Sequence, residues 1–311
     1  MKDILIDCDP GHDDMIAIMV AAVSKTLRLL GITTVAGNQT GEKTYLNARR
    51  VLGLIGREDI PVRRGADRPL LGELHVAANI HGESGLDGAE LPEPSVATDP
   101  EPALEFLRRT IAEHVGPLTL VPTGPMTNVA LLLRSYPEVA AKIERIVFMG
   151  GALYSSNVTP AAEFNIHTDP EAARIVFGSG IPLTMIGLDV THKAIMSMEE
   201  IVRLKGSRGA VSSRVGGLLE FYAGRNRKRF ELGGAPIHDA LAVATAAEPD
   251  MVTTRFLHGD VETTGELTRG RTVIDVYGVT GKPANVDVAL DVDAERFLQV
   301  IRDTIAELDG E

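Results

Sequence analysis

The sequence predicts an α/β fold, a single domain with an open, mostly parallel central sheet flanked by helices around a Rossmann-like core. Three observations predict it. Short apolar, β-branched runs alternate with segments of helical spacing, the rhythm of parallel strands joined by crossover helices. Gly37-Asn38, Thr123-Gly124-Pro125 and Gly150-Gly151 each follow such a run, so the loops should open on one edge of the sheet. No internal repeat, low-complexity tract or Pro/Ser-rich linker divides residues 1–311.

The elements follow in order. Ile4–Asp7 is the first expected strand, and after the Pro10-Gly11 turn Asp13–Val23 has the length and apolar content of a helix. Leu30–Ala36 reads as the next strand and Gly41–Leu54 as the next helix. The stretch Asp67–Thr98 is rich in Gly, Pro and acids and weak in periodicity, which predicts a long surface loop. Glu101–His114, Met126–Leu133 and Pro170–Phe177 have helical spacing, interleaved with strands at Leu118–Pro122, Ile146–Met149 and Leu183–Asp189. A helix from Asp239 to Ala247 and strands at Met251–Leu257 and Thr272–Tyr277 come next. Ala294–Leu308 closes the chain as an amphipathic helix with Glu295, Arg296 and Arg302 on its wet face.

At 44% hydrophobic and 24% charged residues, the composition is that of an ordinary soluble globular protein. The formal net charge of -12 argues against nucleic acid or an anionic membrane as the main partner, since both attract basic surfaces. No apolar stretch approaches the length of a membrane span. The single Cys8 cannot pair within the chain and no basic-then-apolar leader precedes the first strand, so a reducing, cytoplasmic location is expected. Between Asp7 and Asp9, Cys8 reads as a small buried residue, because flanking carboxylates disfavour a thiolate.

The chemistry concentrates at the exit of the first strand, where Asp7, Asp9, Asp13 and Asp14 fall within eight residues. Carboxylates so crowded push one another's pKa upward, and a site that keeps several ionised generally binds a metal or a positive substrate. Capping a helix explains one or two acids there, not four. The candidate ligands are all oxygens, which suits a hard cation, and no Cys/His cluster offers zinc a home.

Four further segments stand out: His81-Gly82-Glu83-Ser84-Gly85-Leu86-Asp87-Gly88, Leu120 to Asn128, Met149-Gly150-Gly151-Ala152 with Asn157 and Ala162 to Glu171, and Pro236-Ile237-His238-Asp239-Ala240. With the opening Asp7–Asp14 motif, this ordered set resembles the nucleoside hydrolases, the inosine-uridine-preferring N-ribohydrolases, from Ile4 to about Ala240. The resemblance implies the nucleoside hydrolase fold and a Ca²⁺ site made of Asp9, Asp14, the main-chain carbonyl of Thr123, and Asp239. It implies Asp9 as the base that activates a water held by the ion, attack at C1′ of a ribonucleoside, and an oxocarbenium-like transition state that carboxylates stabilise. Matching motif positions put Asp13, Asn38 and Asn165 on the 2′- and 3′-hydroxyls and Asn157 and Glu163, beside Phe164, near the 5′-hydroxyl. Met149 would pack on the sugar. Ser156 stands where the family often has Gly, a departure that touches Asn157. The family also suggests a homodimer or homotetramer.

Each residue also has a structural reading. Asn38 suits a turn after Gly37, Asp239 and Asn165 suit helix caps, and Met149 suits a core. Asp169 reads as the cap of the helix at Pro170, and Asp7 as support for its neighbours. The leaving base needs a proton donor or strong hydrogen bonds. His238 is the leading candidate and His81 the second, whereas His12, His75, His114, His167, His192 and His258 read as structural. The absence of Trp disfavours purine activation by stacking on that residue. Tyr222, Asn226 and Phe230 share one helical face where the family contacts the base, and Asn226 leans toward pyrimidines. The adjacent cations Arg225, Arg227, Lys228 and Arg229 are unusual beside the family pattern. Two rivals are a Mg²⁺-dependent phosphohydrolase of the haloacid-dehalogenase type and a catalytically silent nucleoside- or sugar-binding protein.

Overall fold

The computed structural model describes residues 1–310. The elements run β1 (Lys2–Cys8), α1 (His12–Val23), β2 (Leu27–Thr34), α2 (Gly41–Leu54), β3 (Val62–Arg64), α3 (Ala78–His81), α4 (Ala103–Glu113), β4 (Leu118–Pro122), α5 (Thr127–Ser135) and β5 (Ile143–Met149). They continue with α6 (Phe164–Thr168), α7 (Pro170–Phe177), β6 (Leu183–Ile186), α8 (Leu188–Thr191), β7 (Ile195–Ser197), α9 (Met198–Lys205), α10 (Ala210–Phe230), β8 (Gly234–Pro236) and α11 (His238–Ala247). After β9 (Val252–Val261), β10 (Thr272–Asp275) and β11 (Val286–Val292), α12 (Ala294–Asp309) closes the fold.

Nine strands form one sheet in the order β10-β9-β11-β6-β5-β4-β1-β2-β3. All neighbours from β11 to β3 are parallel, while β9 runs antiparallel to β11 and β10 antiparallel to β9. Strand pleating divides the core: Ile4 and Ile6 face a layer with α1, α10 and α11, whereas Leu5 faces a layer with α4, α5 and α7. A sheet covered on both faces needs continuous apolar strands, which is why β1 and β4 were legible as unbroken runs.

β1 lies between β2 and β4, so the chain progresses in opposite directions on its two sides. A crevice opens beyond the carboxyl ends of the strands at such a switch point. The loop after β1 leads through Asp9 to Asp13 and Asp14, and the loop after β4 carries Thr123.

The structure departs from the expectations in several places. The Leu30–Ala36 strand is instead Leu27–Thr34, and the Leu183–Asp189 strand ends at Ile186, because Leu188–Thr191 turns into α8. β11 sits inside the sheet although its sequence VDVALDV is broken by acids. Asp287 pairs with Arg145 and Asp291 with Lys193, so both charges are met by cations from other elements. The stretch Asp67–Thr98 is not wholly a surface loop, since it contains α3 and buries His81.

Candidate active site

Asp9 leaves the end of β1 fully buried. Its Oδ2 accepts the Asn38 backbone N–H at 2.7 Å, while its Oδ1 has no hydrogen-bond partner among the described residues. Two glycines make room for it. A Cβ on Gly37 would lie 2.1 Å from Asp9 Oδ2, and one on Gly124 would lie 2.7 Å from Oδ1. The loops after β2 and β4 therefore close on this carboxylate with no side chains between.

Asp13 and Asp14 occupy the first turn of α1, whose N-terminus favours negative charge. Asp14 accepts from the Gly11 N–H at 3.0 Å, the Thr123 hydroxyl at 2.8 Å and the Asn38 amide at 3.3 Å. Asp239 enters from the start of α11, and one oxygen from each of Asp13, Asp14 and Asp239 lies within 4.8 Å of the others. The tight triad thus contains Asp13, expected only as a sugar contact, and leaves Asp9 beside it. The Thr123 carbonyl accepts the Asn165 amide at 2.6 Å.

Burial is the largest cause that lifts the Asp9 and Asp239 carboxyls well above the usual range, and their acidic neighbours add to it. Burial, then Asp14, pushes Asp13 up to about 7. Burial likewise raises Asp14, against hydrogen bonds that lower it. A divalent cation would offset both causes at once, and the buried, unpartnered Asp9 Oδ1 is a ready oxygen donor. The residues fit a hard cation.

Above this floor opens a cavity of about 160 Å³, far more than the roughly 10–15 Å³ that admits one water. Asp13, Asn38, Met149, Asn157, Glu163, Phe164, Asn165, Tyr222, Asn226, His81, His238, Thr123 and Asp239 all line it. Asp9 and Asp14 are fully buried beneath. Asn157 accepts the Phe164 N–H through its side-chain oxygen at 2.9 Å, which leaves its amide NH₂ free to donate. The Asn226 NH₂ bonds the Tyr222 carbonyl at 3.0 Å, so its oxygen is the free acceptor. Glu163 caps α6 and takes N–H bonds from Gly151, Asn165 and Ile166 at 2.9, 2.9 and 3.1 Å. These bonds oppose a rise in its pKa caused by burial.

His238 Nδ1 lies 2.6 Å from the Thr191 hydroxyl, and burial, then His192, lowers its pKa to about 3. Burial depresses His81 as well. Both rings are neutral near pH 7. His75 and His192, expected to be structural, also line the cavity, as do Val76, Ala77, Asn79, Ile80 and Val158, with Arg229 and Phe230 from the end of α10. No local pattern marked His75, His192 or the segment between Val76 and Ile80, because the cavity joins loops distant in sequence. Asp7 and Asp169 keep supporting roles: Asp7 accepts from Thr33 and Asn128 at 2.6 and 2.7 Å, and Asp169 caps α7 through the Ala172 N–H. Arg225 stacks over Phe221 and Arg229 over Phe230, while Arg227 and Lys228 sit exposed in the last turn of α10, where cations are favoured.

The family model described as inosine-uridine preferring nucleoside hydrolase matches residues 4–299. A pyrimidine-specific ribonucleoside hydrolase, RihA, of Escherichia coli is 50% identical over 303 residues, covering 97% of each chain. Among solved structures, the purine-preferring ribonucleoside hydrolase from Gardnerella vaginalis superposes with a TM-score of 0.93 at 36% identity, over 99% of both chains. An inosine-guanosine nucleoside hydrolase superposes with a TM-score of 0.91 at 31% identity, over 98% of this chain and 99% of the other.

Proposed function

The chain belongs to the inosine-uridine preferring nucleoside hydrolase family, and we propose that it hydrolyses the N-glycosidic bond of pyrimidine ribonucleosides with Ca²⁺ as its cofactor. The observation that carries this reading is the buried carboxylate cluster beneath an open cleft at the sheet's switch point. A phosphohydrolase of the haloacid-dehalogenase type leaves Asp13 and Asp239 without a role, and family membership removes it. A silent binding protein does not need Asp9, Asp14 and Asp239 together.

Ca²⁺, held by Asp9, Asp14, the Thr123 carbonyl and Asp239, with Asp13 beside them, would supply Lewis-acid activation of water. Asp9 accepts the proton of the attacking water. The carboxylates around the sugar stabilise the positive ribose ring that develops as the C1′–N bond breaks. Asp13, Asn38 and Asn165 hold the 2′- and 3′-hydroxyls, Met149 packs on the sugar, and Asn157 with Glu163 takes the 5′-hydroxyl. His238 donates to the leaving base, with His81 at its other side. The free Asn226 oxygen and the neighbouring Tyr222 meet the base.

The 50% identical pyrimidine-specific relative supports pyrimidines over purines, as does Asn226. The purine-preferring relative has the same fold, so base choice resides in the cavity wall and not in the architecture. A cytoplasmic homodimer or homotetramer completes the proposal. No helix among the described residues is long and apolar enough to cross a membrane. The test is a steady-state comparison of uridine, cytidine, inosine and adenosine. We expect higher kcat/KM for the two pyrimidines, and a purine preference would overturn that part of the proposal.

A further inference from the structure

His12 lies outside the machinery described above, yet it is fully buried against it. Its Nε2 is 2.8 Å from the Asp87 carbonyl, and a carbonyl only accepts, so Nε2 carries a proton and donates. Its Nδ1 lies 3.1 Å from His81 Nδ1, and its backbone N–H points at the same His81 atom from 3.3 Å. The His12 ring stacks on His81 and Tyr222 with centroids 5.4 and 5.2 Å apart. Asp87 is itself fixed, its carboxylate accepting the Glu83 and Ser84 N–H groups at 3.0 and 3.1 Å. A rigid loop therefore holds His12, and His12 holds His81.

The consequence does not depend on which tautomer His81 adopts. In either one, Nδ1 faces His12 and Nε2 is the nitrogen left for the cavity. We infer that His12 is a positioning residue that aims His81 Nε2 at the leaving base of the nucleoside. This inference rests on the reading that His81 meets that base.

The experiment compares uridine, a poor leaving group, with 4-nitrophenyl riboside, an activated one, in the full-length Ca²⁺-loaded enzyme. Variants are His81→Ala, His12→Phe, His12→Asn and the double variant His12→Phe/His81→Ala. Phe keeps the stacking and removes both ring nitrogens, whereas Asn can keep a polar atom near His81 Nδ1. We expect His12→Phe to lose about 100-fold in kcat on uridine, at least about tenfold more than on the nitrophenyl riboside. His12→Asn should recover part of that loss, and the double variant should be no worse than His81→Ala alone. Equal losses of His12→Phe on both substrates, or losses that multiply in the double variant, would overturn the inference while leaving His81 in place. A His81→Ala enzyme with no selective loss on uridine would remove His81 from the base and the role of His12 with it. If His12→Phe does not fold, the contrast between His12→Asn and His12→Gln decides: Gln matching Asn on uridine overturns the inference, and Asn exceeding Gln upholds it.

Discussion

Asp9 is the base in the proposed mechanism, and its setting suits that role. Burial shields it from bulk solvent, Asn38 and Gly37 meet Oδ2, and Gly124 leaves room at the unpartnered Oδ1. Replacing Asp9 by Asn keeps the shape and removes the base, so kcat should fall at least about 10³-fold with the fold intact. Circular dichroism beside a ribose-release assay checks both halves, and an Asp9→Asn enzyme within about tenfold of the parent would contradict the assignment. At the opposite end of the substrate, replacing His238 by Ala should hurt uridine about tenfold more than an activated nitrophenyl riboside. Equal losses on the two substrates would remove His238 as the donor to the leaving base.

Among the elements, the loops after β1, β2 and β4 act as one unit because their backbones meet around a single carboxylate. Gly37→Ala tests this, since its Cβ would sit 2.1 Å from Asp9 Oδ2 and 2.9 Å from the Pro125 ring. We expect a stability loss of about 1–3 kcal/mol in thermal melts, with Ca²⁺ affinity down about tenfold by calorimetry. Unchanged affinity would mean that Asp9 is not held by this contact. The unbroken apolar strands and the acidic turn were legible in sequence because burial on both faces and charge crowding each leave a local pattern. β11 was not, since Asp287 and Asp291 interrupt its apolar residues and only distant Arg145 and Lys193 explain them. The places of His75 and His192 in the cavity wall were hidden for a related reason. A histidine's surroundings are supplied by folding, as His12 shows by acquiring its neighbours from Asp87, His81 and Tyr222.

For the molecule as a whole, the proposed calcium site should tie stability to pH and to the ion. In metal-free protein, burial holds Asp7 and Asp13 at about 7, against 3.8 for the ordinary carboxyl. Between those values the folded chain keeps protons that the unfolded chain has released, so stability falls as pH rises through that window. Calcium favours the ionised carboxylates, so the gain in Tm on adding it should grow from about pH 5 to about pH 8. Scanning calorimetry at several pH values reads this directly, and a gain that shrinks toward pH 8 would contradict the site. The most direct test of the central claim is ribose release from uridine while Ca²⁺ is titrated into chelator-treated enzyme. Release should rise from background to a plateau as the ion binds. Full release with chelator in excess, or none from folded, calcium-saturated protein, would contradict the account.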